Sequence, residues 1–273
     1  MSISIPKRTL FSYVGGKKKW MQKWSPHLPP HTLYVSVFGG SGADILFKAP
    51  SEIEVFNDLD ADINNLFKVL RTQHEDLIRL IEFTPSKSRA TYNEALSMLL
   101  DPKTDRLNRA WAFLVVAHQG FRSKHPRLQL PSGYAGLKTA NRCIAQWLNL
   151  PQTITEMVER FRSVQLEQLD YREVIARYDG PNTLIFADPP YHPETRPWRY
   201  YAHEMSHADH EELLSLLNRV QGKVWLCGYD HPLYADVLRR WRRQEFIAHS
   251  PHPTRTARTE VVWTNFIPIK EAG

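Results

Sequence analysis

Short apolar runs closed by turn residues recur along this chain, and between most of them apolar positions fall three and four apart. The runs Leu33–Phe38, Glu54–Asn57, Val164–Leu166, Leu184–Ala187, Val224–Cys227 and Val261–Phe266 are short and rich in branched or aromatic side chains, which predicts buried strands. Helical spacing predicts helices at Ala61–Arg71, Tyr171–Tyr178, His207–Val220 and Pro232–Arg240. Strands alternating with helices predict an α/β sheet with mostly parallel strands. Only a short Pro/Arg/Thr segment separates Gln244–His249 from Val261–Phe266, so these two are expected to form an antiparallel hairpin.

The alternation breaks once. Residues 72–162 show only helical periodicity, as in Tyr92–Leu100, Leu107–Gln119 and Thr139–Leu150. They also hold an irregular, basic stretch, Gly120–Lys138 (GFRSKHPRLQLPSGYAGLK). The expected organisation is a sheet domain from residues 1–71 and 163–273 with a mainly helical insert at 72–162. Loops of this length tend to carry function, so a binding role is the favoured reading of the insert over plain scaffolding.

Composition narrows the class. The 273 residues suffice for one large domain or a domain with an insertion, and 42% apolar with 23% charged residues is ordinary for a globular protein. Trp111–Ala117, the longest uncharged apolar run, is too short to cross a bilayer, and the first residues lack the apolar segment of a secretory signal. Two cysteines, Cys143 and Cys227, support neither a disulfide framework nor a cysteine zinc site, which points to a reducing, cytoplasmic setting. A net charge of +6 permits a polyanionic partner without requiring one.

Tyr34–Gly42 (YVSVFGGSG) reads as a strand entering a glycine-rich turn, and ADILF then begins a helix. Asp58 follows the next strand, at the distance of about 20 residues where an acid can accept hydrogen bonds from ribose hydroxyls. There is no GxxxxGK[ST] loop, which argues against an ATPase. GGSGAD places Asp44 where a dinucleotide fingerprint needs a third small residue, so the expected ligand is a nucleoside without a pyrophosphate.

The run LIFADPPY (Leu184–Tyr191) drives a strand straight into a carboxylate, two prolines and an aromatic ring. At the carboxyl end of a strand in an open α/β sheet, this segment faces the ligand crevice. Asp188 and the Pro189 carbonyl are acceptors able to take both hydrogens of an exocyclic NH₂, and Tyr191 offers a face for base stacking. Beside a nucleoside cofactor, this predicts methyl transfer from a sulfonium to a base flipped from its duplex.

Taken together, the chain resembles the Dam-type DNA adenine-N6 methyltransferases, in the form common on phages and prophages. The resemblance covers nearly the whole chain. Tyr13-Val14-Gly15-Gly16-Lys17 is similar to the family's aromatic-x-GGK segment against S-adenosylmethionine; Phe38, Gly39, Gly40, Ser41 and Gly42 to its glycine motif; and Asn57–Asp62 to its acidic motif. Leu169-Asp170-Tyr171 is similar to the segment that contacts the cofactor's adenine, and Asp188, Pro189, Pro190 and Tyr191 match the catalytic motif. Cys227–Asp230 and Arg258–Asn265 resemble the closing strands. The resemblance implies a Rossmann-like S-adenosylmethionine-dependent methyltransferase sheet with an antiparallel C-terminal hairpin. It also implies double-stranded DNA as substrate, read by the insert. One position departs from the pattern: the family usually has an acid before the glycine motif, and this chain has Ser36-Val37-Phe38. The alternatives are a cytosine-N4 methyltransferase, whose family more often has Ser before Pro-Pro, and a catalytically inactive DNA-binding relative.

Several candidates remain. Arg122, Lys124, Arg127 and Lys138 flank the aromatics Phe121 and Tyr134, an arrangement suited to DNA. His192–Tyr201 (HPETRPWRYY) reads as a lid carrying Arg196 and Arg199 to phosphates, with a plain surface loop as the alternative. Arg239–Arg243 (RRWRR) reads equally well as a solvated helix end. His203, His207 and His210 have helical spacing, but amine methylation needs no metal, so no metal site is expected.

Overall fold

A computed structural model of the chain describes residues 8–13, 15–120, 133–135, 140–196, 201–248 and 258–268. Among the described residues seven strands form one sheet: β1 (Leu33–Ser36), β2 (Ile53–Asn57), β3 (Gln165–Glu167), β4 (Thr183–Ala187), β5 (Lys223–Gly228), β6 (Arg242–Ala248) and β7 (Arg258–Thr264). Their order is β3-β2-β1-β4-β5-β7-β6. The first five strands pair in parallel, and β7 then runs antiparallel to both β5 and β6.

Central strands buried on both faces explain the unbroken apolar runs in the sequence. Successive side chains point to opposite faces. Tyr34, Phe56, Phe186 and Trp225 therefore enter one core, and Val35, Val55, Ile185 and Val224 the other. The first core is covered by α1 (Lys18–Trp24), α2 (Ala43–Leu46), α3 (Ala61–Thr72), α4 (His74–Glu82), α5 (Arg89–Leu100), α6 (Arg106–Gln119), α7 (Ala140–Leu148) and α8 (Leu150–Phe161). The second is covered by α9 (Tyr171–Tyr178), α10 (His207–Leu217) and α11 (Pro232–Val237).

The helices of 72–162 thus share the sheet's core. Arg160 on α8 pins the end of this block to β2, giving Glu54 two bonds of 2.5 and 2.9 Å and the Ile45 carbonyl a third of 2.7 Å. Two helical expectations need correction. Thr139–Leu150 is not one helix: Asn149 at φ −90°, ψ 0° separates α7 from α8, and Pro151 follows in the first turn of α8. A proline there clashes with the carbonyl four residues back, so the earlier helix cannot run through. Pro232–Arg240 stops at Val237, and the second half of RRWRR opens β6. Seven register positions against β7 outweigh the modest gain of arginines at a helix end.

β1 has β2 on one side and β4 on the other, so consecutive crossovers leave in opposite directions and a crevice opens beyond their carboxyl ends. Among the described residues no helix is long and apolar enough to cross a membrane.

Candidate active site

The turn after β1 is held by backbone geometry. A Cβ on Gly39 would fall 2.2 Å from the Phe56 ring, and Gly40 has φ +53° with Tyr13 packed on it. Neither position accepts a side chain without movement. Gly39 donates to the Asn57 carbonyl at 2.7 Å, and Gly40 donates to Asp58 Oδ2 at 2.7 Å. Asp58 Oδ1 takes the Asp60 amide at 2.8 Å. Buried Asn57 donates to the carbonyls of Val37 (2.9 Å) and Leu169 (3.0 Å) and accepts from the Leu169 amide (2.8 Å). One amide side chain thereby aligns the end of β1, the end of β2 and the segment leading to Asp170.

Two cavities open on this rim. The larger, about 140 Å³, is bounded by Tyr13, Phe38, Asp58, Asp170, Tyr171 and Asp188 among others. The smaller, about 40 Å³, is bounded by Gly15, Gly16, Lys17, Gly39, Ser41, Asp44 and Asp188. Gly40, Tyr13, Phe38, Asp188 and Tyr201 belong to both. Of the residues expected to hold the cofactor, Gly42 alone lies off both walls. At φ +70° it starts α2 against Phe161 and Phe67, a conformational role.

Asp188 follows β4 directly and is 19% exposed. Lys17 Nζ lies 2.8 Å from its carboxylate and 3.2 Å from that of Glu260, and donates to the Gly15 carbonyl at 2.9 Å. The Tyr191 hydroxyl donates to Glu260 in a short hydrogen bond. Burial pushes the Asp188 carboxyl up to about 6, against the pull of Lys17 and with a further push from Glu260. Burial works against the Lys17 charge, but Asp188 and Glu260 outweigh it and hold the ammonium well above its usual value.

Several residues stand differently from expectation. Lys17, expected in the segment against the cofactor, borders the smaller cavity but is bound to Asp188 and Glu260. Tyr191 presents no open face: it is 8% exposed, meets Tyr229 edge-on at 4.5 Å, and has Lys17 Nζ 5.0 Å from its ring centre. Pro190 borders the larger cavity, while Pro189 is buried behind it. Arg196, expected on a phosphate, turns inward. Its Nε donates to the Tyr191 carbonyl at 2.6 Å, both guanidinium ends grip Glu204, and the side chain is 6% exposed. The nearby buried acid Glu204 draws it inward, where the two charges pair. Tyr201, from the same segment, roofs both cavities 5.7 Å from Tyr13.

Of the DNA candidates, Arg122, Lys124, Arg127, Lys138 and Arg199 lie outside the described residues. Tyr134 is half-buried, edge-on to Tyr92 at 5.7 Å, with the Arg89 guanidinium 4.7 Å and Lys87 Nζ 5.5 Å from its ring. His207 and His210 start α10, whose cap is Ser206, and His210 Nδ1 pairs with the Tyr234 hydroxyl at 2.8 Å. A different trio, His192, Glu194 and His231, gathers within 4.8 Å. The His192 and His231 rings stack 3.8 Å apart, each Nδ1 accepts a backbone N–H, and the two Nε2 atoms pair with His207 Nδ1 at 2.9 Å and with Glu194 at 3.2 Å.

Reading the residues alone missed Asn57 and Glu260. The signal for Glu260 was an acid inside the apolar strand pattern RTEVVW, which is costly unless it is partnered.

A parallel sheet whose strand order reverses between β1 and β4 and which closes with an antiparallel β5-β7-β6 edge places this protein among the Rossmann-like methyltransferases. Within that class, residues 13–252 match the model of the D12 class N6 adenine-specific DNA methyltransferases, and the chain belongs to that family. It is 26% identical over 223 residues to the DNA N-6-adenine-methyltransferase of Escherichia phage P1, covering 77% of this chain and 28% of that protein. It is 23% identical over 286 aligned residues to the type II methyltransferase M1.LlaDCHI of Lactococcus lactis subsp. cremoris, covering 96% of each. The chain therefore spans little more than a quarter of the phage relative's length and nearly all of the lactococcal one's.

Proposed function

We propose that this chain transfers the methyl group of S-adenosylmethionine to the exocyclic N6 of an adenine flipped out of double-stranded DNA in the cytoplasm. The observation that carries the reading is the position of Asp188, on the wall common to both cavities. The lining suits the donor. Asp58 borders the larger cavity with a carboxylate suited to accept from ribose hydroxyls, and Tyr13, Phe38 and Tyr171 supply flat apolar surface for an adenine ring, with Asp170 beside them.

When bound, the donor supplies an electrophilic methyl group on a sulfonium. The protein's part is position and charge. Asp188 and the Pro189 carbonyl accept the two amine hydrogens and aim the nitrogen lone pair. Lys17 presently stands where the base would come, donating to Asp188 and covering the face of Tyr191. Because it already contacts Glu260, it can yield Asp188 to the amine and keep one ion pair. With an acidity near 6, Asp188 is better matched than an ordinary carboxylate to take the proton that the methylated nitrogen sheds. Residues 72–162, with the basic stretch 120–138, read the DNA sequence in this account.

The test is incubation of the purified chain with unmethylated duplex DNA and methyl-labelled S-adenosylmethionine, followed by nucleoside analysis. N6-methyladenine at a fixed sequence context is expected. N4-methylcytosine, or no label with intact DNA binding, would contradict the proposal and favour the cytosine or the inactive alternative.

A further inference from the structure

Asp44 differs from Asp188, Glu260 and Glu54. Asp188 and Glu260 share Lys17, and Glu54 holds Lys48 and Arg160. Asp44 is 5% exposed and forms no salt bridge among the described residues. The Tyr34 hydroxyl donates to its Oδ2 at 3.2 Å. Burial raises its carboxyl, and the Ser36 and Tyr34 hydroxyls offset only part of that.

A buried carboxylate without a cation is costly, and this one is not sealed in the core. It borders the smaller cavity together with Lys17, Gly39, Gly40 and Ser41, on the side away from the nucleoside wall of Asp58 and Asp170. A ligand that spans both cavities places its non-nucleoside end against Asp44. A positive group at that end would satisfy the carboxylate.

We propose that Asp44 binds the α-ammonium of the methyl donor's amino-acid end. This rests on the donor being S-adenosylmethionine. It also gives Ser36 a physical account: buried at the end of β1, the serine stands beside an acid delivered from α2 rather than supplying one itself. Asp44 thus takes a binding role that no motif resemblance assigned to it.

The experiment is calorimetric titration of the full chain and its Asp44→Asn and Asp44→Ala variants with three probes. These are S-adenosylhomocysteine, its analogue lacking only the amino group, and 5′-methylthioadenosine, which lacks the whole amino-acid end. Loss of a charge-assisted hydrogen bond should weaken S-adenosylhomocysteine about tenfold or more in both variants. The deaminated analogue and 5′-methylthioadenosine should bind the variants and the parent within about twofold, which also shows that the variants fold. Equal weakening of all three probes would show a merely structural acid, and unchanged S-adenosylhomocysteine affinity would show none; either overturns the assignment. Failure of the parent chain to bind any probe would instead overturn the donor itself.

Discussion

The two walls of the crevice are built on opposite principles. On the nucleoside side, backbone geometry does the shaping: Gly39 and Gly40 tie to Asn57 and Asp58 within one strand–helix–strand unit, and the cavity stands open. On the base side, side-chain charge does it: Lys17, Asp188, Glu260 and Tyr191 satisfy one another and close the socket. In the proposed function this open wall receives the donor's nucleoside. The socket holds its own charges in balance until a substrate replaces one of them.

Removing Lys17 should break that contrast most. Lys17→Met leaves two buried carboxylates facing each other, and breaking a buried pair costs about 3–5 kcal/mol. The sign with pH follows from Asp188: burial and the Glu260 charge push its carboxyl up, and without Lys17 it gains further by protonation, so the drop in Tm should be greater at about pH 8 than at about pH 5. Gly39→Ala attacks the other wall. Its Cβ would push Phe56, an overpacking cost of about 1–3 kcal/mol, and should weaken donor binding with no such pH dependence.

Glu260→Gln tests whether the socket is held from behind. Losing a hydrogen bond to charged groups is worth about 1.5–3 kcal/mol at most, so a fall of about tenfold in kcat is expected with donor affinity unchanged. A parallel loss of donor binding would place Glu260 on the wrong wall. The gentlest probe is pH itself. In the proposed mechanism Asp188 acts as its carboxylate, which burial pushes up to about 6, so kcat/KM should fall as pH drops through about 6, roughly tenfold per unit below it. In Glu260→Gln that limb should move to lower pH, because a like charge has been removed.

The nucleoside wall was legible in the sequence because its parts are local. Strand, glycine turn and Asp58 are fixed by neighbours within one strand–helix–strand unit, and glycine has few reasons to be there other than close backbone approach. Asp188 was legible because an acid after a buried strand is costly. Its partners were not. Tyr191 and Glu260 lie 69 residues apart and meet only through the pairing of β5 with β7, while Lys17 reaches Asp188 from the N-terminal segment. Arg196 was misread for the same reason, since a basic residue near aromatics suits DNA until a buried Glu204 claims it. Helix ends at Asn149 and Val237 were lost to apolar periodicity that ran past a weak stop.

The most direct measurement is methyl transfer and donor binding in Asp188→Asn, an isosteric change that removes the acceptor charge. Transfer to adenine should fall about a thousandfold or more, while S-adenosylhomocysteine binds within about threefold of the parent. Transfer within tenfold of the parent would show that another group holds the amine.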